Sequence, residues 1–149
     1  MIIGVSLMIG CWVFIMGSCP FCVPNLLGRV LLDSNYWVAI YDGYPVTFGH
    51  VLLVPLRHIP TVFSLDFEEI IDLIVFIPEV REHIEHKHVA ITGWNIGVNC
   101  GMSAGQTMSH AHIHMIPRRD GDTSDPRGGV RGVIPGRRGY SEDKSLLQS

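Results

Sequence analysis

The sequence predicts an α+β domain in which an antiparallel sheet of about five strands is backed by one main helix. Three stretches carry that prediction. Residues 110–116 alternate histidine with small or apolar side chains, which is the period of a half-buried strand. Val51-Leu52-Leu53-Val54-Pro55 is a continuous apolar run, as expected of a central strand covered on both sides. Leu65, Ile70, Ile74, Ile77 and Ile84 form an apolar stripe at helical spacing. With 149 residues, 47% of them apolar, and a mean hydropathy of +0.28, the chain suits a single core.

Taken in order, residues 1–17 are nearly all apolar and lack charge. The run is marginal for a membrane span of about 20 residues, and it lacks the positive start of a signal peptide. Its end, Met16-Gly17-Ser18-Cys19, has a faint likeness to a lipoprotein cleavage box, a use of Cys19 that competes with metal binding. The alternative is an extension ahead of the functional start, with Met16 as a second initiator. Residues 30–33 and 36–41 read as short strands joined at Ser34-Asn35, and Asp42-Gly43 turns the chain toward residues 51–55. Ser64 is a candidate helix cap, followed by Asp66, Glu68 and Glu69 where acidic groups favour a helix start. Pro78 predicts a kink or break near Phe76-Ile77. His83, His86 and His88 fall in a charged tail that reads as a solvated helix end. Residues 93–99 alternate again and feed a glycine-rich turn. From Arg118 onward, seven of the eleven basic residues occur without a long apolar run, which reads as an extended tail with little regular structure.

The formal charge of −3 and pI near 6.2 argue against a protein that wraps nucleic acid by neutralising phosphates, while a small anionic ligand needs only local positive potential. Among Cys11, Cys19, Cys22 and Cys100 only Cys19-Pro20-Phe21-Cys22 has a recognisable spacing. No thioredoxin-like pattern follows this pair, so half of a zinc site is the better reading, one that needs two further ligands.

The alternating segment puts His110, His112 and His114 on one face. Such a row is a metal cluster, a pH-sensitive surface, or a set of imidazoles that divide base, nucleophile and ligand roles. Gly105, Gln106 and Thr107 precede it and offer backbone N–H groups, an amide and a hydroxyl, all of which cradle anions. A histidine nucleophile beside a phosphate cradle suggests covalent nucleotidyl transfer.

Residues 110–116 together with Gly105-Gln106-Thr107 resemble the signature of the histidine triad (HIT) family of nucleotide hydrolases and transferases. Residues 44–58 resemble a second block of that family, in which Gly49-His50 leads into a strand ending Pro55-Leu56-Arg57-His58; Phe48 stands where proline is common. The likeness covers residues 19–119, and Pro117 to Asp122 resemble more the dinucleoside polyphosphate hydrolase branch, that of the fragile histidine triad protein. The resemblance implies a HIT-like fold over residues 18–119, flanked by the apolar extension at 1–17 and an Arg/Gly-rich tail at 120–149. Asp125 to Pro135 resembles tails of prokaryotic members and has no role assigned by the likeness.

In zinc-containing members of the prokaryotic type the metal ligands match Cys19, Cys22, His58 and His110, a closed and therefore structural set. Without metal, His110 would orient His112 instead. His112 matches the nucleophile and His114 the residue that meets the α-phosphate and manages the leaving group. Asn99, Gly105, Gln106 and Thr107 match phosphate contacts, His50 a buttress of that cradle, and Asp42 the group on the ribose hydroxyls, although a residue before Gly43 is also simply a turn former. Phe21 and Ile40 are candidate walls for the base. The implied protein is a cytoplasmic homodimer that uses a purine nucleotide substrate, with no organic cofactor, no nucleic acid partner and no membrane unless residues 1–17 are an anchor. It would cleave dinucleoside polyphosphates, or nucleoside monophosphate esters or amidates, through a nucleotidyl-histidine. Two rivals remain: a metal-dependent hydrolase whose three histidines hold a catalytic ion, and a nucleotide sensor with little turnover.

Overall fold

The computed structural model describes residues 19–140, so the apolar extension and residues 141–149 lie outside the described part. Five antiparallel strands form one sheet in the order β1-β2-β3-β5-β4: β1 Val30–Asp33, β2 Trp37–Tyr41, β3 Val51–Pro55, β4 Gly93–Val98 and β5 Ile113–Arg118. A short helix α1, Val23–Leu26, precedes them, and the long helix α2, Phe67–Lys87, connects β3 to β4. The expected α+β architecture, with one main helix against one antiparallel sheet, is what the chain adopts.

The two faces of the sheet do different work because side chains alternate along each strand. Trp37, Ala39, Val51, Leu53, Ile113 and Met115 pack under Phe76, Val80 and Ile84 of α2 to form the main core. The Trp37 indole N–H also donates to the Glu69 carbonyl at 2.8 Å, tying β2 to the first turns of the helix. On the opposite face Val38, Ile40, Leu52 and Val54 join Phe21 and Leu26 in a second apolar cluster. The continuous burial of β3 on both sides follows.

The start of α2 differs from the sequence expectation. Ser64 ends a 3-10 turn over Val62–Ser64, and Asp66 is the N-cap. The Glu69 carboxylate accepts the Asp66 N–H at 2.8 Å and receives two bonds from the Arg57 guanidinium, which also donates to the Ser64 carbonyl. That grip fixes the entry two residues later than the composition suggests. Pro78 likewise lies inside an uninterrupted helix. Its ring is on the exposed side, where the acceptor freed by the missing N–H meets water, while buried Phe76 and Val80 hold both halves on the sheet.

The tail contains more structure than its composition suggests. Gly129–Val133 winds a 3-10 turn against β4. A Cβ at Gly128, whose φ is +83°, would collide with the carbonyl oxygen of Arg138, so the chain closes on itself there only because the residue is glycine. Among the described residues no helix is long and apolar enough to cross a membrane.

Candidate active site and metal centre

Strand pairing in β5 begins at Ile113, so His114 sits within the strand and His110 and His112 on its extended lead-in. The His112 and His114 rings meet edge to face, centroids 5.1 Å apart, while the His110 ring packs against His58 at 4.6 Å. His110, wholly buried, donates its Nε2–H to the Pro55 carbonyl at 2.9 Å, because a carbonyl can only accept. Its Nδ1 thereby carries the lone pair and lies 3.5 Å from Cys19 Sγ and 3.8 Å from Cys22 Sγ. Cys22 Sγ is 3.3 Å from Nδ1 of His58. All four donor atoms fall within 4.8 Å of one another.

Tetrahedral bonds of about 2.3 Å to sulfur and about 2.0 Å to nitrogen separate donors by roughly 3.5 Å, so the observed spacing suits zinc. The bond from His110 to the Pro55 carbonyl agrees with this, since a ligating imidazole ordinarily hands its other N–H to a carbonyl or carboxylate. Burial, with Cys19 close by, pushes the Cys22 thiol up to about 11. A bound cation would reverse that penalty by favouring the thiolate. These four residues can therefore hold a metal ion, and all four are the ones the sequence suggests.

The His112 Nδ1–H donates to the His110 carbonyl at 2.9 Å, which leaves the lone pair of the neutral ring on Nε2. The ring lies against Phe21, centroids 5.1 Å apart, and Phe21 and Ile40 belong to one apolar cluster on this face. His114 belongs to a third arrangement. The Val46 N–H donates to His50 Nδ1 at 3.3 Å, so neutral His50 carries its proton on Nε2. That proton points at His114 Nδ1, 3.0 Å away, which in turn places the His114 proton on Nε2. One backbone amide thus sets the tautomers of two imidazoles in series. Burial lowers the proton affinity of both rings, and for His114 the neighbouring His112 and His50 lower it further.

Asp42 forms the expected turn and also faces the two imidazoles. Oδ1 accepts the Tyr44 N–H at 2.8 Å and closes the turn, while Oδ2 stands 3.4 Å from His50 Nε2 and 3.7 Å from His114 Nδ1. Asp42, His50 and His114 are also close enough to hold a cation together, and no such group among the described residues contains His112.

The glycine-rich turn is built differently from the expected cradle. The N–H of Gly105 bonds to the Met102 carbonyl and that of Gln106 to the Gly101 carbonyl. The Gln106 amide donates to the Pro60 and Met108 carbonyls and accepts the Gly101 N–H at 2.7 Å, so it braces the loop. A 3-10 turn over Met102–Ala104, ending on left-handed Gly105, uses those groups locally. Thr107 remains exposed beside it. Asn99 instead lines a groove of about 630 Å3 together with Asp42, His50 and His114. Tyr44, Val46 and Asn95, and the tail turn at Gly129, Val130 and Val133, line the same groove and were not signalled by the sequence. Only the run of glycines at 128 and 129 hinted at a built turn.

Residues 24–121, more than half of the chain, match the HIT domain. A bis(5'-nucleosyl)-tetraphosphatase [asymmetrical] of Schizosaccharomyces pombe is 40% identical over 97 residues, covering 65% of this chain and 53% of that protein. A bis(5'-adenosyl)-triphosphatase of Dictyostelium discoideum is 40% identical over 94 residues, covering 63% and 62%. The chain thus spans little more than half the length of these relatives. Among solved structures, a Zn-bound histidine triad family protein from Mycobacterium smegmatis superposes with a TM-score of 0.62 at 28% identity, covering 72% of this chain and 80% of that one.

Proposed function

The chain belongs to the HIT domain family, and on that premise we propose that it is a nucleotide hydrolase that attacks the α-phosphorus of a dinucleoside polyphosphate through His112. The observation that carries this reading is the bond from His112 Nδ1–H to the His110 carbonyl, which presents the Nε2 lone pair as a nucleophile and stabilises the cationic ring that attack creates. In the first step the Nε2–P bond forms and the bridging P–O bond breaks, its electrons leaving on the departing nucleotide. His114, with its proton on Nε2, donates a hydrogen bond to the phosphoryl oxygens as their charge grows. Water then forms a new P–O bond, the N–P electrons return to His112, and the water proton passes to solvent. The names of relatives that cleave dinucleoside tetra- and triphosphates support the substrate class.

Zinc, when bound at Cys19, Cys22, His58 and His110, supplies a cross-link with no position open to substrate. Its geometric support is the donor spacing and the orientation of His110. Two reduced thiols beside two imidazoles suit the reducing cytoplasm. A homodimer is supported by β4, an edge strand with half-exposed Ile96 and Val98. Phe21 and Ile40 remain the proposed walls for a purine base, Asp42 the ribose contact, and Asn99 and Thr107 the phosphate contacts.

Rapid quench with labelled diadenosine triphosphate should trap acid-labile nucleotidyl label on His112. His112→Ala should abolish turnover while nucleotide affinity stays within about tenfold, because the nucleophile acts in the transition state. Label on another residue, or undiminished hydrolysis by the alanine variant, would sink the covalent scheme. Loss of activity on chelation in a protein that stays folded would instead favour a catalytic ion at Asp42, His50 and His114.

A further inference from the structure

Charge is distributed unevenly along this chain. Residues 1–117 hold four basic side chains against nine carboxylates, whereas the described tail, residues 118–140, holds six arginines against three aspartates. The first part is therefore net −5 and the tail net +3, in a chain whose total is −3. Inside the tail the carboxylates are already engaged. Asp122 takes the fork of Arg118 at 2.6 and 2.8 Å, Asp125 takes that of Arg127 at 3.0 and 3.2 Å, and Asp120 accepts the Thr92 hydroxyl at 2.9 Å. Arg138 stands 3.7 Å from the same Asp125. Arg119 donates instead to the Phe48 and Val89 carbonyls, and Arg131 to those of Arg138 and Gly139. A carbonyl satisfies an N–H without cancelling its charge, and a guanidinium cannot shed its proton. The tail therefore keeps a positive surplus.

That surplus is fixed beside the segments that border the reacting centre. Arg119 holds the loop that carries Tyr44 and Val46, and it lines a cleft with Val46 and Phe48. Arg131 lies between Val130 and Val133, in the turn that lines the groove beside His114. Neighbouring Cα atoms are about 3.8 Å apart, and an exposed charge is felt over about 8–10 Å at physiological salt. Among the described residues no lysine or arginine lines the groove itself, and Asp42 puts a carboxylate in it. An anion on its way to His112 thus draws its attraction from the surrounding tail and not from the floor of the site.

We propose that the tail arginines form a positive collar that gathers polyanions from solution, so that the chain selects nucleotides by the number of their phosphates. This rests on the hydrolase reading above and adds to it a selection by charge. Fields summed over several charges raise association rates by about 10- to 1,000-fold and fade steeply with ionic strength. The collar acts on the encounter alone, and the bonds made and broken at phosphorus stay as they are. Arg119, Arg131 and Arg138 are specificity-determining residues that touch no reacting atom. A nucleic acid is the poorer polyanion here, since a strand long enough to leave the collar meets the net −5 of the remaining chain.

The test is the salt dependence of kcat/KM on diadenosine tetraphosphate, with four phosphates, against adenosine 5'-phosphoramidate, with one. Between about 20 and about 500 mM salt the wild type should lose at least about tenfold on the tetraphosphate and less than about threefold on the phosphoramidate. Exchanging Arg119, Arg131 and Arg138 together for glutamine should lower kcat/KM on the tetraphosphate at least about fivefold at the low salt, through KM, with kcat within about twofold; at the high salt the difference should vanish. Lysine at the same three positions keeps the charge without the guanidinium fork and should follow the wild type. A loss that persists at high salt, or that lysine does not restore, would make these arginines braces of the loop and turn and overturn the proposal. A wild type indifferent to salt overturns it as well. If the triple glutamine variant does not fold, Arg131→Gln alone is read by the same salt criterion. A wild type that cleaves neither substrate sinks the hydrolase reading instead, and titration with inorganic tripolyphosphate, which needs no turnover, then decides the collar. The wild type should bind it at least about fivefold more tightly than the glutamine variant does; equal affinity, or a tighter hold on single-stranded RNA than on tripolyphosphate, overturns the proposal.

Discussion

Exchanging Cys22 for serine removes one donor from the four that face each other across the N-terminal turn and the β5 lead-in. Cys19 and His110 are 91 residues apart in sequence, so an ion held between them closes most of the described chain into a loop. Treated as a cross-link of that span, it lowers the entropy of the unfolded chain by the equivalent of about 4–5 kcal/mol at 25 °C, an upper figure because residual structure reduces it. For a domain of this size that corresponds to a fall in melting temperature of roughly 10–20 °C. The assay is thermal unfolding of wild type, chelator-stripped wild type and Cys22→Ser, each with zinc per chain measured by elemental analysis. Stripped and mutant proteins should melt together, below the zinc-loaded form, and zinc should restore only the stripped one. Turnover per folded molecule should change by less than about tenfold, since His112 hangs from the His110 carbonyl and loses alignment rather than its reacting atom. A zinc-free wild type that melts within about 3 °C of the loaded protein would refute the cross-link argument.

Two further outcomes follow from other parts of the fold. The folded-state pKa values of His50 and His114 lie below the ordinary imidazole value near 6.5, chiefly through burial, so between those values the unfolded chain binds more protons. Stability should therefore be complete above about pH 6.5 and fall as the pH drops through that window; urea midpoints near pH 7.5 and pH 5.5 measure the difference, and His114→Asn should shrink it. Gly49 has φ +89°, and a Cβ there would meet Ile84 and His88 at 3.1 Å and Pro117 at 3.2 Å. Gly49→Ala should cost about 2–5 kcal/mol, from about 1–2 in the backbone and about 1–3 in crowding, and a urea midpoint shift under about 0.5 kcal/mol in free energy would show that α2 yields.

What the chain reveals before folding is uneven for a physical reason. Strands β3 and β5 were legible because burial on two faces or one writes a period directly into residue type. The spacing of Cys19 and Cys22 marks half of a metal site because thiol pairs are restrictive chemistry, whereas His58 and His110 join it only through the resemblance to zinc-containing members. The entry to α2 was misplaced because Arg57, twelve residues upstream of Glu69, decides which residue caps the helix. The bracing bonds of Gln106 are not legible in the sequence, because an amide looks the same whether it faces a ligand or the Pro60 carbonyl. The tail turn was missed altogether, since its closure depends on the fit of Gly128 beneath Arg138, a contact that composition does not record.

His110 offers its Nδ1 to the metal cluster, its Nε2–H to Pro55 and its carbonyl to His112. For anyone evolving this protein in the laboratory, that residue is a poor place to diversify: selection on the proposed nucleophile and selection for stability act there on the same atoms. His58 is exposed and tied to the cluster through one nitrogen, which makes it the position where a library can vary the donor set while the face of His112 is carried forward intact.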